Sequence, residues 1–140
     1  MDRPLLLDIV SNQLRTSGVM AVIQNNRDFK HSEFLAAYET LLEEMSPNYS
    51  RYYRHFDFLQ EMHDGFGVNP EKITFHTHNW TMTIPSEAFI GMSRSSTQAQ
   101  RAIARHGEKY LRQLTTLIKQ YEVQGNLEIL YRSELYMYAR

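Results

Sequence analysis

An open α/β sheet with flanking helices is what this sequence predicts, on three observations. Val19-Met20-Ala21-Val22-Ile23 is its most continuous apolar run, opened by Gly18 and closed by Gln24-Asn25-Asn26. A short run of this kind reads as a strand covered on both faces. Helix-like segments precede and follow it, which makes an α–β–α unit. Two further stretches, 72–84 and 126–140, alternate their side chains with a period of two and read as strands. Sheets of this class bind ligands beyond the carboxyl ends of their parallel strands. Gln24, Asn25 and Asn26 stand there if the strand runs parallel to its neighbours. Otherwise they only end the strand and turn the chain.

The elements follow in order. Leu5, Leu6, Leu7, Ile9, Val10 and Leu14 give a short helix with an apolar face, and Pro4 suits its first turn. Thr16-Ser17-Gly18 breaks it. Arg27 to His31 is a connecting loop after the strand. Ser32 is an N-cap, and Glu33 suits the helix dipole. Phe34, Leu35, Tyr38, Leu41, Leu42 and Met45 recur at three and four, so an amphipathic helix runs to Met45, before Pro47. Phe56, Leu59 and Met62 carry a weaker helical stripe, and Asp64 to Pro70 is a turn region.

In 72–84, Ile73, Phe75 and Thr77 alternate with Thr74, His76 and His78. Trp80, Met82 and Ile84 then continue the histidine parity, and one bulge near His78-Asn79 would bring the apolar positions onto one face. Residues 85–92 form a short helix or turn, and Ser95 with Gln98 has capping-box spacing. A long helix spans about 97–121, with His106-Gly107 as a kink or division and Gly125 as the stop. The terminal strand pairs antiparallel with 72–84 and closes the sheet.

The chain has 140 residues, one domain by size. Its net charge is −1, from 15 basic and 16 acidic residues, so no polyanion partner is expected and nucleic acid is set aside. It holds no cysteine, which removes disulfides, thiolate metal sites and cysteine nucleophiles. No apolar run reaches transmembrane length and the amino terminus does not read as a signal peptide, so no membrane partner and a cytoplasmic location are expected.

Candidate chemistry is spread along the chain. Tyr49, Arg51, Tyr52, Tyr53, Arg54 and His55 interleave rings with guanidinium groups, a mixture that can grip a carboxylate or a flat substrate. The alternative is a wet surface of stacked side chains. His76 and His78 are two apart and share a face of their strand. Two such groups can ligate a metal, but no third ligand has suitable spacing, so no metal site is assigned. One of them can act as a general base. The Gly65-x-Gly67 pair has no phosphate-loop pattern.

The order helix, buried strand, helix, strand, helix, terminal strand resembles the C-terminal half of a class I S-adenosylmethionine (SAM) dependent methyltransferase of the small-molecule type. LRTSGVMAVIQNN looks like the start of strand five, KITFHTHNWTMTI like strand six and NLEILYRSELYMYAR like strand seven, so the resemblance spans nearly all of residues 1–140. Phe89-Ile90-Gly91-Met92-Ser93 before the long helix is similar to a family segment leading towards the substrate. The resemblance implies a partial Rossmann-like sheet, with a parallel strand and antiparallel C-terminal strands. In the family, strand seven is inserted antiparallel between five and six. The glycine-rich loop after strand one, the acidic residue ending strand two and the motif after strand four have no counterpart here.

The implied function is the substrate side of a SAM-dependent methyltransferase acting on a small molecule. It transfers a methyl group only with a cofactor-binding half, and SAM binding is not expected of the isolated chain. Asn25, Asn26, Arg27, Tyr49, Arg51, Tyr52, His76 and Trp80 then form the substrate wall, and His78 is the candidate base. A central strand with an open apolar edge invites pairing, with the rest of a longer enzyme, a separate subunit or a second copy of the chain. The other readings are a non-catalytic, dimeric α+β binding or assembly module and, more remotely, a metal-dependent enzyme using His76 and His78.

Overall fold

Three long strands form one sheet: β1 (Val19–Arg27), β2 (Ile73–Pro85) and β3 (Asn126–Ala139), in the order β1-β3-β2. They belong to a computed structural model that describes residues 2–140. Among these residues lie six α-helices: α1 (Arg3–Gln13), α2 (Glu33–Met45), α3 (Phe58–Phe66), α4 (Ser86–Arg94), α5 (Thr97–His106) and α6 (Glu108–Tyr121). The class is mixed α/β, as the sequence predicts. β3 runs antiparallel to β1, since Ser17 N–H donates to Arg140 O (3.1 Å) at one end and Asp28 N–H to Leu130 O (2.8 Å) at the other. It also runs antiparallel to β2, with Thr74 Oγ1 donating to Met137 O at 3.5 Å and Ser86 N–H to Gly125 O at 2.9 Å. The terminal strand therefore closes the sheet against 72–84 as expected. Among the described residues the one neighbour of β1 in the sheet is antiparallel.

The chain divides into two compact units. The first holds residues up to Asn26, His55–His78 and Arg132–Arg140; the second holds Arg27–Arg54 and Asn79–Tyr131. In the first, Leu7 of α1, Met62 of α3, Ile73 of β2, and Tyr136 and Tyr138 of β3 form a small core, with Met20 and Val22 packed against it. In the second, the apolar faces of α2, α4, α5 and α6 close over Leu127 and Ile129 of β3. The buried β3 residues of the first core are the even-numbered Tyr136 and Tyr138, and those of the second are the odd-numbered Leu127 and Ile129.

That change of parity corrects the expected bulge. Phe75 faces Tyr136 (ring centroids 4.6 Å apart) and Trp80 faces Tyr131 (4.7 Å). Five residues along β2 match five along β3, so no extra residue intervenes. Along β2, Ile73 is buried in the first core and Ile84 packs against the second, so the apolar parity shifts with the core that covers it and not through an inserted residue.

The expectation that Val19–Ile23 is covered on both faces is also overturned. Exposed and half-buried residues alternate along β1; Val19 is 59% and Ile23 69% exposed. β1 is an edge strand, and only its Met20/Val22 face meets a core. The apolar face of α1 is only partly covered: Leu7 is buried, Val10 and Leu14 are half-buried, and Leu5 is 56% and Ile9 49% exposed. Replacing Val19 and Ile23 together with lysine should change stability by less than about 0.5 kcal/mol per site, as is usual for exposed positions. A urea titration checks this; a combined loss above about 2 kcal/mol would show that this face is buried in solution.

The caps mostly follow the residues. Ser32 accepts from Leu35 N–H at 3.2 Å and α2 stops at Met45, both as expected. The cap of α5 is Ser96, not Ser95: its hydroxyl accepts from Ala99 N–H at 3.2 Å. Gly107, with φ +54°, divides the predicted 97–121 helix into α5 and α6, because a left-handed φ cannot continue an α-helix.

Candidate functional site

The residues after β1 build the polar heart of the second unit. Arg27 ends the strand, and its Nη2 lies 2.9 Å from Oε1 of Glu39 on α2. Glu39 is almost wholly buried, its side chain 4% exposed, while that of Arg27 is 24% exposed. Tyr49 donates its hydroxyl to the other carboxylate oxygen. The Arg27 guanidinium lies over the Tyr38 ring, 4.9 Å from its centroid. Burial opposes the charge on Arg27, but the Glu39 carboxylate together with Tyr38 and Tyr49 more than offsets it, so its pKa rises. Burial, then the bond to Glu39, pushes the Tyr49 phenol up.

A hydroxyl chain lies in the same core. Ser93 Oγ on α4 is 2.7 Å from the Tyr38 hydroxyl and 3.2 Å from that of Tyr110 on α6. All three residues are buried, so these bonds satisfy groups that water cannot reach. Phe89-Ile90-Gly91-Met92-Ser93 therefore serves the core: Phe89 and Ser93 point inward.

Tyr49, Arg51 and Tyr52 form one cluster with α2. Arg51 donates from Nε (3.0 Å) and Nη2 (2.7 Å) to Glu43 Oε2, and from Nη2 to Thr40 Oγ1 at 2.8 Å. Its backbone N–H donates to Glu43 Oε1. These hydrogen bonds hold the Glu43 carboxyl below the usual carboxylate range. Arg51 also lies 5.5 Å from the Phe29 ring centre, and Phe29 meets Tyr52 edge-on at 5.9 Å. The carboxylates that Arg27 and Arg51 hold are thus the chain's own Glu39 and Glu43.

Asn25, Asn26, His76 and His78 lie in the first unit. Asn25 accepts from Ser133 Oγ at 2.6 Å across the β1–β3 pair. His76 and His78 are exposed on β2. Among the described residues no group of three His, Cys, Asp or Glu side chains is placed to hold a metal ion.

Trp80 lines a groove of about 270 Å³ in the second unit, with Asp28, His31, Asn79, Thr81, Leu130 and Tyr131. Trp80 and Tyr131 stack with 19° between their planes. His31 Nδ1 is 2.9 Å from Asp28 Oδ1 and 2.8 Å from Oδ2. The Asp28 carboxylate is largely buried and the His31 ring is 73% exposed. In the neutral tautomer that carries its proton on Nδ1, facing the carboxylate, the ring presents the Nε2 lone pair as an acceptor. A second groove, about 650 Å³, shares His31 and Leu130 and reaches Ser32, Phe34 and Tyr121.

Sequence reasoning passed over Asp28, His31 and Glu39, while Tyr131 belongs to the tyrosine cluster 131, 136 and 138, of a kind that suits a pocket rim or an interface. A signal existed for all three. Asp28-x-x-His31 directly follows the carboxyl end of a strand, and Glu39 stands at helical spacing from Leu35 and Leu42, on the buried face of α2.

A Cβ at Gly18 would meet Arg15 O and Leu14 at 2.8 Å, and one at Gly65 would meet Leu7 at 2.7 Å, so both close approaches are filled by the chain itself. The other four glycines have nothing within 4 Å of that position. None cradles a cofactor.

Fold and groove together define a mixed α/β protein with an aromatic groove beside a polarised histidine. No protein-family model matches the chain, and no curated protein matches its sequence. No helix among the described residues is long and apolar enough to cross a membrane.

Proposed function

We propose that these residues form the sheet-closing, substrate-side part of a SAM-dependent methyltransferase acting on a small molecule. The cofactor is held by another part, either a preceding segment or a separate subunit. The sheet order carries this reading: β3 lies antiparallel between β1 and β2, as strand seven lies between five and six in the family that the sequence resembles. The open edge of β1 and the exposed Val19 and Ile23 leave a strand edge and an apolar face for that other part to cover. Methyl transfer asks the protein mainly for positioning. The second unit supplies a groove for the acceptor at the end of β1.

The test is reconstitution. The chain is co-expressed with, or joined to, the polypeptide encoded directly upstream, and radiolabelled methyl transfer from SAM to a small-molecule extract is measured. Label in the small-molecule fraction is expected from the combined protein and none from the chain alone. No transfer by the combined protein overturns the reading, and so does micromolar SAM binding by the chain alone in calorimetry. The same edge favours a second reading, a non-catalytic module that dimerises through β1. Light scattering separates them: a stable homodimer that the upstream polypeptide does not dissociate supports the module.

A further inference from the structure

We infer that the Trp80 groove binds an uncharged planar ring bearing an O–H or N–H group, and that this group donates its hydrogen to Nε2 of His31. Three observations meet in one place. The groove has an aromatic wall, since Trp80 stacks on Tyr131 at 4.7 Å and is still 36% exposed. A flat ring gains most against such a wall. The groove has one oriented acceptor: both Asp28 oxygens lie within 2.9 Å of His31 Nδ1, so the ring's open nitrogen is Nε2. It has no lysine or arginine to attract an anion, and its one carboxylate, Asp28, is already engaged by His31. A carboxylate or phosphate ligand would find no lysine or arginine there.

Size agrees. About 270 Å³ is just below the usual range of about 300–1,000 Å³ for ligand pockets, which suits one or two rings. The larger neighbouring groove shares His31 and Leu130, so substituents can extend into it. That groove does not include the Trp80–Tyr131 stack. Resting on the function proposed above, this assigns the acceptor's hydroxyl or amine to His31, a residue of the β1–α2 loop, instead of His78. Asp28 is then a positioning residue. It fixes the ring nitrogen that faces the ligand and stabilises the imidazolium if the ligand's proton moves to Nε2.

Trp80 is the sole tryptophan, so its indole signal reports the groove alone. The probes are phenol and its methyl ether anisole, which keeps the ring and lacks the O–H. Both are titrated into the full chain and followed by the NMR signals of the Trp80 indole N–H and the His31 ring. Phenol is expected to shift both signals saturably, and anisole to bind at least fivefold more weakly and leave His31 in place. His31→Gln should raise the phenol Kd at least fivefold without changing that of anisole. Asp28→Asn should do so less. Tyr131→Leu should weaken both probes, and backbone amide spectra show whether each variant keeps its fold. Equal binding of the two probes, or a phenol Kd unmoved in His31→Gln, overturns the assignment of His31. An unsaturable Trp80 signal overturns the groove itself. Phenol binding without methyl transfer on reconstitution defeats the proposed function alone, and transfer without groove binding defeats this inference alone.

Discussion

Glu39→Ala should lower the stability of the second unit by about 3 kcal/mol, the lower end of the roughly 3–5 kcal/mol seen when one partner of a buried ion pair is removed. The physical cost is not the lost attraction. It is the Arg27 guanidinium, left beside the Tyr38 ring with no anion, and the Tyr49 hydroxyl, left with no acceptor. Arg27 keeps 24% of its side chain in water and can relax outward, which is why the lower end applies. Against a usual total of about 5–15 kcal/mol this is a large share. With a slope of about 1–3 kcal/mol per molar urea, the midpoint should fall by roughly 1–3 M. The double variant Arg27→Met with Glu39→Leu should lose less than Glu39→Ala alone, because it leaves no buried charge unpaired. A single-variant loss under about 1 kcal/mol would mean that the pair is effectively solvated.

Phe89→Ala should cost about 3–5 kcal/mol, the range for truncating a buried phenylalanine. Phe89 projects from α4 with no exposure and meets Phe34 and Tyr38, both on α2, with each pair of centroids 5.0 Å apart. The contacts are edge-to-face, at 67° and 77°, so alanine removes apolar area and two favourable ring geometries together. The space cannot close easily. Tyr38 is tied to Ser93 by its hydroxyl, and Ser93 to Tyr110, so the rings around the void are held in place. Phe89→Leu should cost less than about 1.5 kcal/mol because it keeps most of the volume. Urea midpoints of the two variants check the ordering, and equal losses would show that packing is not the cause.

These two residues bear differently on the candidate site. Glu39 lies beside Arg27, at the end of β1, one residue before Asp28. Phe89 supports α2, the helix that begins just after His31. A loss of stability at either should loosen the loop that presents the Asp28–His31 pair. The open face of β1 is unlike both, since Val19 and Ile23 support no core within this chain.

The sequence by itself determined the class, the element order, the α2 limits and the antiparallel terminal strand, and it marked His106-Gly107 as a kink or a division. Each of these rests on local physics: apolar spacing, side-chain caps, a glycine inside a helical pattern and a period of two. Tertiary structure decided the rest. Val19–Ile23 reads as doubly covered because a run of apolar residues carries no record of what packs on it. An edge strand awaiting a partner and a central strand look alike in sequence. The parity change in β2 has the same origin, since periodicity reports which side chains are apolar and not which face a helix covers. Arg51 reads as a free grip for a ligand until Glu43, on a different element, is seen to fill it. The groove became visible last, because its ring stack joins residues 80 and 131, which only the pairing of β2 with β3 brings together.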